Sequence, residues 1–314
     1  MHDDTDAATR SILVLGAGEL GMAVLRGLTG HPAAPRGTEI TVLLRPATLE
    51  SQAPGKRREI EELRALGIHL LAGDLAAGSV DELARLFRPF DTVICCTGFV
   101  AGTGTQRKLA TAVLAAGVKR YVPWQFGVDY DIIGRGSGQN LWDEQLDVRD
   151  LLRSQDATEW VIVSTGMFTS FLFEPSFGVV DLANGTVHAL GHWDTAVTVT
   201  TPEDIGTLTA AILFAEPRIA NQVVFTAGDT ITYARLADIL DSHLGRNLRR
   251  VEWHIPTLSA DLAADPDNAL KKYRVAFAQG TGVAWDIGET FNARNGIAVT
   301  DVAGWVRRNL PHRI

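Results

Sequence analysis

The chain has 314 residues, 46% of them apolar and 21% charged, which provides for a sizeable core and excludes disordered and fibrous classes. A formal net charge of −8, with no basic run longer than Lys56-Arg57-Arg58, excludes the cationic face that nucleic acid requires. Apolar stretches stop well short of the ~20 residues of a bilayer helix, and the start His2-Asp3-Asp4-Thr5-Asp6 is acidic where a signal peptide is basic, so a cytoplasmic protein with no membrane partner is expected.

Ile12-Leu-Val-Leu15 is a short apolar run ended by glycine, the pattern of a strand buried on both faces of a parallel sheet. A helix follows, with Leu20, Val24 and Leu28 at a spacing of four, until Gly30-His31-Pro32 stops it. The alternation continues with strand Ile40 to Leu44, helix Glu59 to Leu66, strand Ile68 to Leu71, helix Val80 to Phe87 and strand Asp91 to Cys95. Helix Arg107 to Ala116, strand Arg120 to Val122 and strand Trp160 to Val163 complete it. Such alternation predicts a doubly wound parallel sheet of Rossmann type. Cys95 and Cys96 are the only cysteines. Adjacent in a strand, they point to opposite faces, which suggests packing rather than a disulfide or a metal site.

After about residue 165 the pattern loosens into a glycine-rich and aromatic stretch, Gly166 to Trp193. A helix starts near Pro202-Glu203-Asp204, Val223 to Phe225 suits an edge strand returning to the sheet, and helices Tyr233 to Leu244 and Leu258 to Gln279 flank a strand at Val251 to Ile255. The expected division is a nucleotide-binding domain over 1–165 and a smaller α/β substrate-binding lobe over 166–314, with a crossover back near 223–227.

Gly16-Ala-Gly18-Glu19-Leu20-Gly21 lies between the first strand and the first helix. Gly16 allows the tight turn, Gly18 lets the backbone approach a pyrophosphate, Gly21 lets helix and strand pack closely, and the exposed N–H groups at the helix start hold the anion. At the end of the second strand, where an NAD site places an acidic residue, stands Arg45. Arginine pairs bidentately with a 2′-phosphate and Lys56, Arg57 or Arg58 can add charge, which selects NADPH; the other reading of Arg45 is a solvated side chain. Asp74, after strand three, and Cys96, Thr97 and Gly98, after strand four, lie at carboxyl ends of strands, where such sheets bind ligands. Asp74 also suits the cap of the next helix.

Val118-Lys-Arg-Tyr-Val-Pro-Trp-Gln-Phe-Gly127 resembles the Val-Lys-Arg-Phe-x-Pro-Ser-Glu-Phe-Gly segment of the isoflavone reductase family. That family consists of atypical short-chain dehydrogenases of the NmrA-like group, with phenylcoumaran benzylic ether and pinoresinol-lariciresinol reductases among them. The glycine loop, Arg45 and Gly73-Asp74 fall where the family has theirs, so the resemblance covers about the first 170 residues. Tyr121 to Gly127 and the helix from Asp143 to Arg149 look most like the CipA-like branch. The resemblance implies an NADPH-dependent reductase of small aromatic, often phenolic, molecules. It also implies cofactor contact at Phe126 and a substrate pocket lined by Trp124, Met167, Phe168 and Phe171, with Phe173 beside them; ordinary core packing is the rival role for each residue of the 167–173 stretch.

One departure is marked. The family's catalytic lysine should fall near Gln139 or Asn140, and there is no lysine between Lys119 and Lys271. The alternative device, tyrosine with lysine four residues on, is absent too, since Tyr121, Tyr130, Tyr233 and Tyr273 are followed at that spacing by Gln125, Gly134, Ala237 and Phe277. Hydride transfer then needs another proton donor, or an electrophile that accepts hydride without enzymatic protonation. The candidate catalytic residues are Tyr130, Gln139 and His188, with His192, Asp129 and Asp131 behind them; packing, and for the aspartates loop capping, is the rival role for each. Two functions stay open, an NADPH-dependent reductase of a small-molecule substrate and an NADP(H)-sensing regulator without catalysis. The oligomeric state, a homodimer included, stays open as well.

Overall fold

A computed structural model describes residues 11–99 and 102–311, so the acidic start from His2 to Asp6 lies outside the described residues. The first apolar run forms β1 (Ser11–Leu15), where Ile12, Leu13, Val14 and Leu15 are all fully buried. A strand covered on both faces has no polar face to alternate with, which is why its sequence is continuously apolar. With β2 (Glu39–Leu44), β3 (His69–Ala72), β4 (Thr92–Cys95), β5 (Arg120–Val122) and β6 (Glu159–Ser164) it builds a sheet in the order β6-β5-β4-β1-β2-β3. Gln222–Phe225 is the seventh strand and lies at the edge beside β6, where the sequence placed it. β1 pairs in parallel with both β2 and β4, and the pairs β2–β3, β4–β5 and β5–β6 are parallel too. Strand order therefore reverses between β1 and β4, the point at which doubly wound sheets open a crevice at their carboxyl ends.

Helices follow these strands at Glu19–Leu28, Pro54–Ala65, Val80–Phe87 and Thr105–Ala116. The second begins five residues before Glu59 because Pro54 fits a first helical turn, where its missing N–H costs nothing, and this places Lys56 on the helix. Val80–Phe87 starts at a capping box in which Ser79 Oγ accepts from the Glu82 N–H and a Glu82 carboxylate oxygen accepts from the Ser79 N–H.

The chain resolves into two compact units. One comprises Met1–Gln125, Asp147–Val163 and Ile205–Val223, the other Phe126–Leu146, Ser164–Asp204 and Val224–Ile314. The first unit's core is filled from both sides of the sheet by residues such as Leu13, Leu43, Phe87, Val113 and Ile162. Within it the guanidinium of Arg120 donates to the carbonyls of Leu213 at 2.8 Å and Ile219 at 2.6 Å, and burial lowers its pKa to about 10.

The second unit has its own core, including Leu172, Phe177, Val187, Leu240 and Phe277. It contains two three-stranded sheets: Ala196–Thr200 between Asp229–Thr232 and Met167–Phe168, and Thr186–Leu190 between Arg249–Trp253 and Val180–Asp181. The strand expected over Val251 to Ile255 thus runs from Arg249 to Trp253, since Ile255 and Pro256 open a helix. The single helix expected from Leu258 to Gln279 is two, Ile255–Ala264 and Ala269–Ala278. Pro266 falls in the break, and the Asn268 side chain caps the second helix by accepting from the N–H groups of Leu270 and Lys271.

Candidate functional site

At the carboxyl end of β1 the chain turns at Gly16, whose φ of +90° lies in the left-handed region open to glycine. A Cβ here would stand 2.7 Å from Thr97 Oγ1, and a Cβ on Gly21 would stand 2.2 Å from the Gly16 carbonyl oxygen. Those two glycines let helix Glu19–Leu28 start directly against the strand. Gly18 differs: it is the residue before the helix, its φ of −72° is ordinary, and a Cβ on it would meet nothing within 4 Å. Nothing within the described residues therefore requires a glycine here, and the N–H groups of the first helical turn are open on that side. Glu19 is exposed, and Leu20 is buried, its side chain turned into the core.

A cavity of about 310 Å³ opens here, lined by Gly16, Ala17 and Gly18 from the loop, by Arg45 and Thr48 after β2, and by Lys56, Glu59, Ile60 and Leu63 from Pro54–Ala65. Leu43 and Leu44 of β2, Gly73, Asp74, Leu75 and Ala76 after β3, and Cys96, Thr97 and Gly98 after β4 complete the wall. Arg57 and Arg58 are exposed and lie outside this wall. Arg45 lines the cavity with its side chain exposed, and Lys56 lines it while paired with Glu59 at 2.7 Å.

Asp74 does not cap the following helix, which Ser79 caps; its Oδ1 accepts from the N–H of Ala76 at 2.8 Å and of Ala77 at 3.0 Å. The Ala77 and Ala76 N–H groups, with Arg45 and Lys108 beyond them, hold its carboxyl below the usual range. On the β4 side, Gln106 Nε2 donates to the carbonyls of Thr97 at 2.8 Å and Gly98 at 3.0 Å, and Thr97 Oγ1 donates to the Leu15 carbonyl at 2.9 Å. Burial pushes the Cys95 thiol up to about 11 and Cys96 well above its usual value, so neither is a thiolate nucleophile near neutrality. Trp124 contacts Phe99 edge to face, with ring centres 5.0 Å apart, and packs near Gly98.

The sequence reading missed Glu59, Ile60, Leu63 and Thr48 on this wall and Gln106 behind it. The amphipathic spacing of 59, 60 and 63 with Lys56 on one helix face was the signal for three of these five positions to share a wall, once the helix is extended to Pro54.

The remaining candidates belong to the second unit. Phe126 is buried there, as are Tyr130 and Met167. Tyr130 meets Trp142 edge to face at 6.0 Å, and Trp142 in turn meets Tyr273 at 6.1 Å and Phe277 at 5.8 Å. Phe171 stacks on Phe177 at 4.5 Å and touches Tyr273 at 6.0 Å, so an aromatic wall connects these residues. Phe168 is half-buried in its short strand, paired beside Thr200.

Gln139 is fully buried; its Oε1 accepts from the Leu141 N–H at 3.4 Å, and its Nε2 has no hydrogen-bond partner among the described residues. Beside it Asn140 Oδ1 accepts from Lys272 Nζ at 3.0 Å, so an ammonium from Ala269–Ala278 reaches the pair of residues at which a lysine was expected. His188 Nδ1 lies 2.7 Å from the Gly178 carbonyl and its ring stacks on Trp253 at 4.1 Å; burial lowers its pKa, opposed by the Gly178 bond. Asp129 caps the Tyr130–Ile133 turn by accepting from the Ile132 N–H, and His192 is exposed, 3.6 Å from Glu252.

Chemically, the cavity offers an anion-binding helix start, a guanidinium and an ammonium around an apolar floor. The set suits a nucleotide carrying a pyrophosphate and one further phosphate.

Comparison with known proteins shows the family and the fold. The model of the NmrA-like family matches residues 8–288. An NmrA-like family domain-containing oxidoreductase of Gibberella moniliformis is 49% identical over 298 residues, covering 95% of this chain and 97% of that protein. An isoflavone reductase homolog of Solanum tuberosum is 25% identical over 307 residues, covering 94% of each. Among solved structures, the binary complex of leucoanthocyanidin reductase with NADPH from Vitis vinifera shares the fold, with a TM-score of 0.77 at 19% identity over 95% of this chain and 98% of that one. Among the described residues no helix is long and apolar enough to cross a membrane.

Proposed function

The chain belongs to the NmrA-like family, and from that premise we propose that it is an NADPH-dependent reductase of a small, aromatic substrate that works without the family's lysine. The observation that carries the reading is Arg45, placed at the end of β2 on the wall of the cavity that also holds the Gly16–Gly21 loop. An arginine here pairs two N–H donors with a 2′-phosphate, while an acidic residue would repel it.

Bound NADPH would supply the hydride. The N–H groups of Glu19, Leu20 and Gly21 at the helix start would hold its pyrophosphate, and Arg45 and Lys56 would hold its 2′-phosphate. Thr97 and Gly98, fixed by Gln106, shape the wall at the end of β4. Trp124, beside Gly98 in the first unit, is an aromatic candidate for the nicotinamide end, and Phe126, Met167, Phe168 and Phe171 are the apolar and aromatic candidates of the second unit.

Tyr130 is the hydroxyl candidate for proton transfer, and His188 is held neutral by its half-buried setting. Gln139 can donate a hydrogen bond from Nε2 to a substrate oxygen but carries no transferable proton. That property suits an electrophile of the quinone-methide or iminium class, which takes hydride without enzymatic protonation. The test is NADPH consumption across a panel of enones, imines and benzylic ethers; tight NADPH binding with no turnover on any of them counts against the enzyme.

A second reading, an NADP(H)-responsive regulator without catalysis, draws its support from buried Gln139 standing where a lysine was expected. Calorimetry separates the two. A sensor binds the oxidised and reduced cofactors with different affinity or gains a protein partner, and failure of both removes this reading.

A further inference from the structure

Lys56, Glu59, Ile60 and Leu63 all line the cavity from the one helix Pro54–Ala65. Their spacings of three, four and seven put them on a single helical face. Ile60 and Leu63 are buried and form an apolar floor, while Lys56 and Glu59 bring opposite charges to the wall that also holds Arg45. Lys56 Nζ sits 2.7 Å from Glu59 Oε2, and both side chains remain partly exposed.

The cavity has one other carboxylate, Asp74, and the contrast is informative. Asp74 is turned onto the N–H groups of Ala76 and Ala77, which absorb its charge locally. Among the described residues Glu59 has no such backbone partners; it pairs with Lys56, the one ammonium on the cavity wall that also holds Arg45.

We propose that Glu59 sets how strongly this site prefers the phosphorylated dinucleotide, by competing with the 2′-phosphate for Lys56. The inference rests on reading the cavity as an NADPH site. An exposed pair three residues apart on a helix is weak, so a phosphate with nearly two charges and three acceptor oxygens displaces the carboxylate from Lys56. Glu59 then stays on the same wall as an uncompensated anion facing the phosphate. The uncharged 2′-hydroxyl of NADH meets no such opposition. Glu59 therefore lowers the preference for NADPH over NADH while leaving NADH binding almost unchanged.

Calorimetric titration of the full chain tests this, with NADPH, NADH and, as a probe of the adenosine end alone, adenosine 2′,5′-bisphosphate against 5′-AMP. Glu59→Gln keeps the side-chain length and removes the charge. It should tighten NADPH and the bisphosphate about two- to fivefold and leave NADH and 5′-AMP unchanged, the size expected for loss of one weak pair and one repulsion. Lys56→Met should weaken both phosphorylated ligands, and on that background Glu59→Gln should keep only the part of its effect that comes from repulsion of the phosphate. An unchanged ratio of NADPH to NADH affinity in Glu59→Gln, or a lowered one, overturns the inference while leaving the NADPH reading intact. Failure of the unaltered protein to bind NADPH or the bisphosphate overturns both.

Discussion

Gln106, buried in the helix Thr105–Ala116, donates from one nitrogen to two consecutive carbonyls, Thr97 at 2.8 Å and Gly98 at 3.0 Å. The loop after β4 is thus pinned from behind by a side chain that does not itself line the cavity. Replacing Gln106 with Leu leaves both carbonyls without this donor and should cost about 1–3 kcal/mol of stability. Denaturant unfolding measures that loss. NADPH and NADH binding should weaken together, because the loop serves both; a selective loss of NADPH would contradict this role.

The three loop glycines make separable demands. Gly21→Ala puts a methyl 2.2 Å from the Gly16 carbonyl oxygen, and the forced backbone shift should destabilise the fold by about 1–3 kcal/mol. Gly18→Ala meets nothing within 4 Å, so the melting temperature should hold while NADPH binding falls by about tenfold or more. Thermal melts beside calorimetry check the pair, and NADPH binding unaffected by Gly18→Ala would place the pyrophosphate elsewhere.

Arg45→Asp removes the guanidinium from the cavity wall and sets a carboxylate in its place. NADPH should lose roughly 10- to 100-fold in affinity, the worth of charge-assisted bonds to a phosphate, while NADH is spared or gains. Equal losses for both cofactors would show that Arg45 does not read the phosphate.

His188 carries a pH dependence whose sign follows from burial. Its folded pKa is lowered from 6.5, so below that value the unfolded chain takes up the proton more readily than the folded one. Stability should fall as pH drops through about 6.5, with the full loss reached below the depressed folded value. His188→Phe keeps a ring against Trp253 and removes the titration. Stability against pH should be flatter for this variant over that interval, and parallel curves would mean that His188 does not titrate differently on unfolding.

Elements whose signal is local were legible in the sequence. Val80–Phe87, Arg120–Val122 and Tyr233–Leu244 stand within the bounds that periodicity predicts, and β1 differs by one residue. Each is a continuous buried run or an amphipathic stripe ended by a cap or a glycine, as Gly245 ends Tyr233–Leu244 at a φ of +66°. The stretch from Gly166 to Trp193 gave no such signal. Its strand Thr186–Leu190 is held by Arg249–Trp253, and no local periodicity announces a partner some sixty residues away.

The candidate site divides in the same way. The glycine loop, Arg45 and the strand-end positions Asp74 and Thr97-Gly98 were readable by themselves, because each answers a local demand: a left-handed turn, a close backbone approach, a charge at a strand's carboxyl end. Tertiary structure alone decided that Glu59 neutralises Lys56 on the cavity wall, that Asp74 spends its carboxylate on its own turn, and that Lys272 meets Asn140 from a helix far along the chain. Backbone requirements are written into residue types one position at a time. Side-chain pairings depend on which groups folding brings within a few ångströms, and several residues of each type were available to make them.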